Sequence, residues 1–187
     1  MLKTVFIYIF FIFIIGCGQE VIKDNNSIDI IDFNKPSNRE LLEAINRARA
    51  KPRDCHDGVG LRDAVAPLVW NENLYKSAYE HSRDLAKSNT FSHLGSGTEY
   101  DITGYNRGVK RSLFYERIED NGYGDYNIVG ENIAGGQDSV EQLMEDLLNS
   151  PKHCANIMNR EFKEVGVALF IEDSSKYKIY WTQNFGG

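Results

Sequence analysis

Three residues of this sequence have the chemistry to form a ligand or metal site together: His93, Glu131 and His153. Each histidine lies just after a helical pattern, where a side chain can face a cleft. Glu131 lies between Ile128 and Ile133, which indicates partial burial, and a buried carboxylate needs an imidazolium, a metal ion or hydrogen-bond donors. Two imidazoles and one carboxylate match a three-ligand zinc set with an open position. The alternative is a hydrogen-bonded cluster that only stabilises the fold.

The other two histidines are weaker candidates. His81 shares the apolar face of a helical pattern with aliphatic residues, so we interpret it as a hydrogen-bonded core histidine. His56 lies in a polar loop, where we expect it at the surface. Ser92 precedes His93, but neighbours along a chain need not meet in space, so the sequence shows no nucleophile with an adjacent base. We assign no catalytic residue.

Helical periodicity and capping motifs predict the elements that position these residues. Helices are expected after the capping boxes at 37–40 and 139–142, after the N-cap at Asn71 and across 113–120. Strands are expected at 165–171 and 177–183, with a short strand or extended turn at 127–134 and a loop at 94–110. These elements predict an α+β fold, a three-layer α-β-α sandwich around a small, largely antiparallel sheet.

The N-terminus predicts export. Lys3 is followed by an apolar run at 5–15, which has the length of a signal-peptide core and is too short for a transmembrane helix. The run ends at a sequence that resembles a bacterial lipobox, so we expect residues 1–16 to be a lipoprotein signal peptide and Cys17 to be lipidated. An ordinary cleaved signal or an uncleaved anchor is the alternative. Polar residues dominate 17–36, which predicts a flexible tether to a single domain at 37–187.

Charge argues against nucleic acid as a partner. Removal of residues 1–16 leaves 20 basic and 27 acidic side chains, a net charge of −7. The one local basic cluster, Arg107, Lys110 and Arg111, is short, and we interpret it as a solvated loop. The predicted partner is a bacterial membrane, reached through lipidated Cys17, at the outer membrane, the cell surface or the periplasmic face.

The remaining cysteines, Cys55 and Cys154, predict a disulfide. They form an even pair in a protein that is expected to leave the reducing cytosol. Two buried thiols are the alternative, since the sequence does not show whether the two side chains meet.

Five segments in order resemble the motifs of bacterial CAP-domain proteins, the superfamily of cysteine-rich secretory proteins, antigen 5 and pathogenesis-related 1. These segments are FSH at 91–93, GENIA at 130–134, SPKHCANIM at 150–158, EVGVA at 164–168 and YWTQNFG at 180–186. The resemblance runs from about Asn38 to the C-terminus. It implies an α-β-α sandwich with a central cavity of histidines and glutamates that binds divalent metal in some members. It also supports the pairing of Cys55 with Cys154.

The resemblance implies site residues only in part. His93 and Glu131 match two members of the eukaryotic cavity tetrad, whereas Tyr180 stands where that pattern has its second histidine and no carboxylate matches its second glutamate. We expect His153, from the bacterial variant, to fill the vacant space, with Tyr180 and Gln183 lining the cavity.

The leading functional hypothesis is a binding module for a lipid, sterol, glycan or protein, which requires no cofactor. A hydrolase that holds zinc or another divalent cation with His93, Glu131 and His153 is the second hypothesis. A structural envelope protein is the third.

Overall fold

A computed structural model describes residues 19–24, 27–32 and 35–187 of the chain. The predicted signal peptide and lipidated Cys17 lie outside the described residues and stay predictions. Within the described part, no helix combines the length and the apolar character needed to cross a bilayer. The chain divides into two compact units, residues 1–36 and 37–187.

The first unit contains a two-stranded antiparallel sheet. Its strands are β1 (Gln19–Asp24) and β2 (Ser27–Asp32), paired from Gln19 opposite Asp32 to Asp24 opposite Ser27. These strands fall within the segment for which the sequence predicts a flexible tether. The tethering role of this segment stays a prediction.

The second unit is an α+β fold of six helices and six strands. Its helices are α1 (Asn38–Arg49), α2 (Glu72–Ser88), α3 (Ile102–Arg107), α4 (Phe114–Asp120), α5 (Val140–Asn149) and α6 (Pro151–Ile157). Its strands are β3 (Arg53–Asp54), β4 (Leu61–Arg62), β5 (Val69–Trp70), β6 (Val129–Gly135), β7 (Glu164–Ile171) and β8 (Ile179–Gly186).

The central sheet has the strand order β5-β7-β8-β6 and is antiparallel except for the short parallel pair β5 and β7. Buried residues of α1, α5 and α6 form the main hydrophobic cluster with one face of this sheet. Helix α2 contacts β7 and β8, and Ser82 of α2 hydrogen-bonds Ala168 and Thr182. Helices thus cover both faces, and the predicted α+β sandwich is confirmed.

Local sequence explains where the main helices begin. Ser37, Asn71 and Ser139 lie in extended backbone and accept hydrogen bonds from the first turns of α1, α2 and α5. Helix α2 then packs directly on β7 at Gly166, where an added Cβ would lie 2.0 Å from the backbone nitrogen of Tyr75. Glycine at this position therefore sets how closely α2 approaches the sheet.

The predicted disulfide joins Cys55 to Cys154, whose Cα atoms lie 5.5 Å apart across a sequence separation of 99. It fastens the loop after α1 to helix α6. Two elements were not predicted from the sequence: α3 lies inside the segment expected to be a loop, and α6 lies before the predicted strand at 165–171, where no helix was expected. Both helices are short and begin at favourable residues. Asp101 is the N-cap of α3, and Pro151 is the first residue of α6.

Candidate functional site

Strand β6 presents its alternate residues to the two faces of the sheet. Asn132 and Ala134 face α5 and α6, since Ala134 belongs to the main cluster and Asn132 hydrogen-bonds Asn156 of α6. Ile133 packs with Leu85 of α2. Glu131 lies two residues before Ile133 in β6, so its side chain points to the same face of the sheet. Glu131 therefore lies on the α2 face, directly opposite Asn184 of β8.

Glu131 is the centre of a polar cluster. Its side chain is 1% exposed, and its Oε1 accepts a hydrogen bond from His93 Nδ1 at 2.9 Å. Its Oε2 accepts from Arg117 Nη2 at 2.9 Å. His81 of α2, fully buried, places Nε2 3.7 Å from Oε1 and 3.0 Å from the carbonyl oxygen of Ser92. A buried carboxylate is thus surrounded by three basic side chains.

The electrostatics of the cluster keep Glu131 ionised and His81 neutral. Burial lowers the pKa of His81 to about 4, against an opposing effect of the nearby Glu131 carboxylate. Burial raises the pKa of Glu131, but the positive charges of His81, once it is protonated at low pH, and of Arg117 outweigh it together with the hydrogen bonds from His93 and Arg117, and they lower the pKa to about 2. The cluster therefore holds a carboxylate and a guanidinium out of water.

Arg117 connects this cluster to the loop before α4. Its Nη2 also donates to the carbonyl oxygen of His93 at 3.0 Å, and its Nη1 donates to Ser112 Oγ at 3.0 Å. Ser112 Oγ donates to Asp101 Oδ1 at 2.6 Å, and Asp101 is buried at the start of α3. A hydrogen-bonded path therefore runs from Asp101 to Arg117. Arg117 reaches the backbone of His93 directly and its side chain through Glu131.

His153 lies on α6. Asn132 Nδ2 donates to the carbonyl oxygen of His153 at 3.2 Å, and Asn156 Nδ2 donates to Asn132 Oδ1 at 2.8 Å, so an amide network fastens α6 to β6. Burial and, to a smaller extent, the charge of His93 lower the pKa of His153. The oxygens of Glu131 are bonded to His93 and Arg117 rather than to His153.

The two predicted cavity-lining residues lie away from Glu131. Gln183 faces α5, where it accepts from Asn132 and donates to Met144 Sδ at 3.8 Å. Tyr180 lies opposite Gly135, four residues along β6 from Glu131, and its hydroxyl donates to Asn89 at 3.4 Å. The neighbour of Glu131 on β8 is instead Asn184, which donates to Ser77 Oγ at 2.9 Å.

The predicted three-ligand zinc set does not fit this geometry. Both oxygens of Glu131 already accept hydrogen bonds, and the guanidinium of Arg117 places a positive charge 2.9 Å from one of them. Within residues 35–187, no group of three or more His, Cys, Asp or Glu side chains is placed to hold a metal ion. Glu131 has the position of a carboxylate that orients a histidine, rather than that of a ligand.

Comparison with known proteins agrees with the fold. Residues 42–185 match the cysteine-rich secretory protein family, CAP, a match that covers most of the chain. This chain belongs to the CAP family. The resemblance seen in the five sequence motifs is thereby confirmed. Its relative YkwD, an uncharacterised protein of Bacillus subtilis, is 31% identical over 128 residues, which are 67% of this chain and 42% of YkwD.

Two solved structures share the CAP fold. An extracellular protein with an SCP domain from Bacillus anthracis has a TM-score of 0.57 at 23% identity, over 79% of this chain and 39% of that one. An outer surface protein from Borrelia burgdorferi has a TM-score of 0.56 at 18% identity, over 81% of this chain and 95% of that one. The CAP chain spans less than half the length of the curated relatives it matches, 42% and 34%.

Sequence reasoning missed Arg117 and the role of His81 in this CAP domain. The prediction that His81 is a hydrogen-bonded core residue agrees with its full burial, but nothing in the helical pattern showed that it lies beside Glu131. Arg117 follows Phe114 by three and precedes buried Ile118, which places it near the apolar face of α4. An arginine in that position was the available signal for a buried partner of a carboxylate.

Proposed function

We propose that the protein is an exported, membrane-anchored CAP lipoprotein that binds an envelope ligand at His93. The observation that supports the proposal is the contrast within the hydrogen-bonded pair of His93 and Glu131. The Glu131 side chain is 1% exposed, whereas the His93 side chain is 51% exposed. A histidine that only stabilised the core would be as buried as His81, which is 0% exposed.

The geometry fixes how His93 meets a ligand. Because Nδ1 is bonded to Glu131, the second ring nitrogen, Nε2, lies on the opposite edge of the imidazole. A neutral imidazole with a proton on Nδ1 accepts a hydrogen bond at Nε2. When His93 is neutral, the ligand group at this position is therefore a hydroxyl or amine donor, which sterols, glycans, lipid head groups and proteins all carry.

Export and lipidation at Cys17 complete the proposal. The signal-peptide pattern of residues 1–16 supports export, as do the two structural neighbours, one an extracellular protein and one an outer surface protein. The lipobox-like sequence before Cys17 supports lipidation. A polar segment then separates the anchor from the folded unit.

Ligand capture by wild type and His93→Ala tests the proposal. Each protein is incubated separately with a lipid extract and with a glycan extract of bacterial envelopes, and retained molecules are measured by native mass spectrometry. We expect wild type to retain a one-to-one adduct. His93→Ala should retain it at least about tenfold less, because a hydrogen bond in a partly desolvated site is lost.

The matched control is His56→Ala. His56 is 81% exposed and belongs to a different loop, so this variant should retain the adduct as wild type does. Equal retention by His93→Ala and wild type, or no adduct on wild type from either extract, would contradict the proposal.

A further inference from the structure

The surface around α3 combines exposed apolar and basic side chains. Tyr105 is 80% exposed, and Ile102 and Val109 are 40% and 41% exposed. Lys110 and Arg111 follow directly and are also exposed. We call these five residues, Ile102, Tyr105, Val109, Lys110 and Arg111, the α3 patch.

Hydrogen bonds hold the α3 patch in one compact turn. Gly108 adopts a left-handed conformation with φ of 67° and donates to the carbonyl oxygen of Tyr105, while Val109 donates to that of Gly104. This pair of bonds returns the chain against the last turn of α3. Arg111 Nε donates to the carbonyl oxygen of Gly95 at 2.7 Å, which fixes the end of the patch. The backbone that carries these side chains is therefore held in a defined turn rather than in a loose loop.

The charge of the patch is opposite to that of the protein as a whole. The segment 102–115 contains no acidic residue, although the chain has a formal net charge of −6. Arg107 is neutralised locally, since it pairs with Glu116, Glu119 and Asp120. Lys110 and Arg111 do not share these carboxylates, so they give the patch its positive charge.

We propose that the α3 patch docks on an anionic lipid surface. Tyrosine and aliphatic side chains enter the head-group region favourably, while adjacent Lys and Arg are attracted to anionic lipids. Exposed Tyr105, with exposed Ile102 and Val109, supplies apolar surface for the head-group region, and an acidic protein surface is the alternative that the test distinguishes. The inference concerns a surface other than the His93 site and extends the proposed membrane location.

Vesicle co-sedimentation of the unit Ser37–Gly187 tests the docking surface. This unit lacks Cys17 and contains the three hydrophobic clusters and the disulfide, so any binding is independent of lipidation. We expect it to bind vesicles of phosphatidylglycerol and phosphatidylcholine in equal parts, and not vesicles of phosphatidylcholine alone. K110Q combined with R111Q should lower partitioning about 25-fold, about fivefold for each charge. Tyr105→Ser should lower it about fivefold through loss of partial burial.

The matched control removes two exposed lysines elsewhere, K51Q combined with K76Q, and should bind as wild type does. Thermal melts check that all variants are folded. Equal binding to neutral and anionic vesicles would overturn the inference. So would a loss of vesicle binding in the control variant as large as that in K110Q combined with R111Q. Binding to poly-L-glutamate without binding to vesicles would assign the patch to an acidic protein and would also overturn it. None of these outcomes affects the ligand-capture test of His93.

Discussion

Arg117→Met is expected to lower the free energy of unfolding by about 3–5 kcal/mol, because it leaves the carboxylate of Glu131 buried without its guanidinium partner. Arg117 is 1% exposed and also loses its bonds to Ser112 and to the His93 carbonyl. Urea denaturation at neutral pH measures the effect. The loss should shrink at low pH, because protonation of Glu131 removes the unpaired charge.

Two further variants distinguish the effect of burial on stability from the effect of the number of ion pairs. Arg107→Met removes a guanidinium that contacts three carboxylates at the surface, and it should lower stability by no more than about 1 kcal/mol. Arg117→Met combined with Glu131→Leu should lose less than the sum of the single variants, because neither charge is then left alone. An additive double variant, or a loss no larger for Arg117→Met than for Arg107→Met, would show that the buried pair does not form.

The free energy of unfolding should fall as pH decreases from about 6.5 to about 4, by up to about 3 kcal/mol from His81. The folded-state pKa of His81 is lowered to about 4 by burial, whereas an unfolded histidine takes up its proton near the ordinary value of 6.5. The unfolded state therefore binds more protons in this window, so stability is present above pH 6.5 and is lost as pH falls. Glu131, with its pKa lowered to about 2, continues the loss below about pH 4.5.

His81→Gln tests this assignment, since glutamine does not titrate. Between pH 6.5 and 4 its stability should fall less than that of wild type, with a remaining slope from His153, whose pKa burial also lowers, while His56→Gln, at an 81% exposed position, should keep the wild-type slope. Stability is read from urea denaturation at each pH. If the free energy of unfolding of His81→Gln fell with pH as steeply as that of wild type, the proton uptake would belong to another group.

The sequence predicted the elements whose signals are local. Capping residues and apolar periodicity marked α1, α2 and α5, and strands β7 and β8 followed from their β-branched and aromatic runs. The two helices that it missed are short: α3 has six residues in a glycine-rich, polar segment, and α6 has seven residues and begins at a proline. The disulfide followed from cysteine number and cellular location, with its geometry supplied by the fold.

The site was predictable only in part because it depends on register. The sequence identified Glu131 and His93, and the structure places a hydrogen bond between them. Which β8 residue lies opposite Glu131 is set by the β6 and β8 pairing, which selects Asn184 rather than Tyr180 or Gln183. A shift of one residue in the pairing of a strand would have moved each of its side chains to the other face of the sheet.

The protonated nitrogen of the neutral His93 imidazole tests the central claim most directly. A long-range nitrogen-15 NMR spectrum at about pH 8.5, well above the ordinary histidine pKa, distinguishes the two tautomers. If the buried carboxylate of Glu131 orients His93, the proton resides on Nδ1 and Nε2 is left to accept from a ligand. A proton on Nε2, with Nδ1 bare, would contradict the hydrogen bond on which the proposed binding site rests.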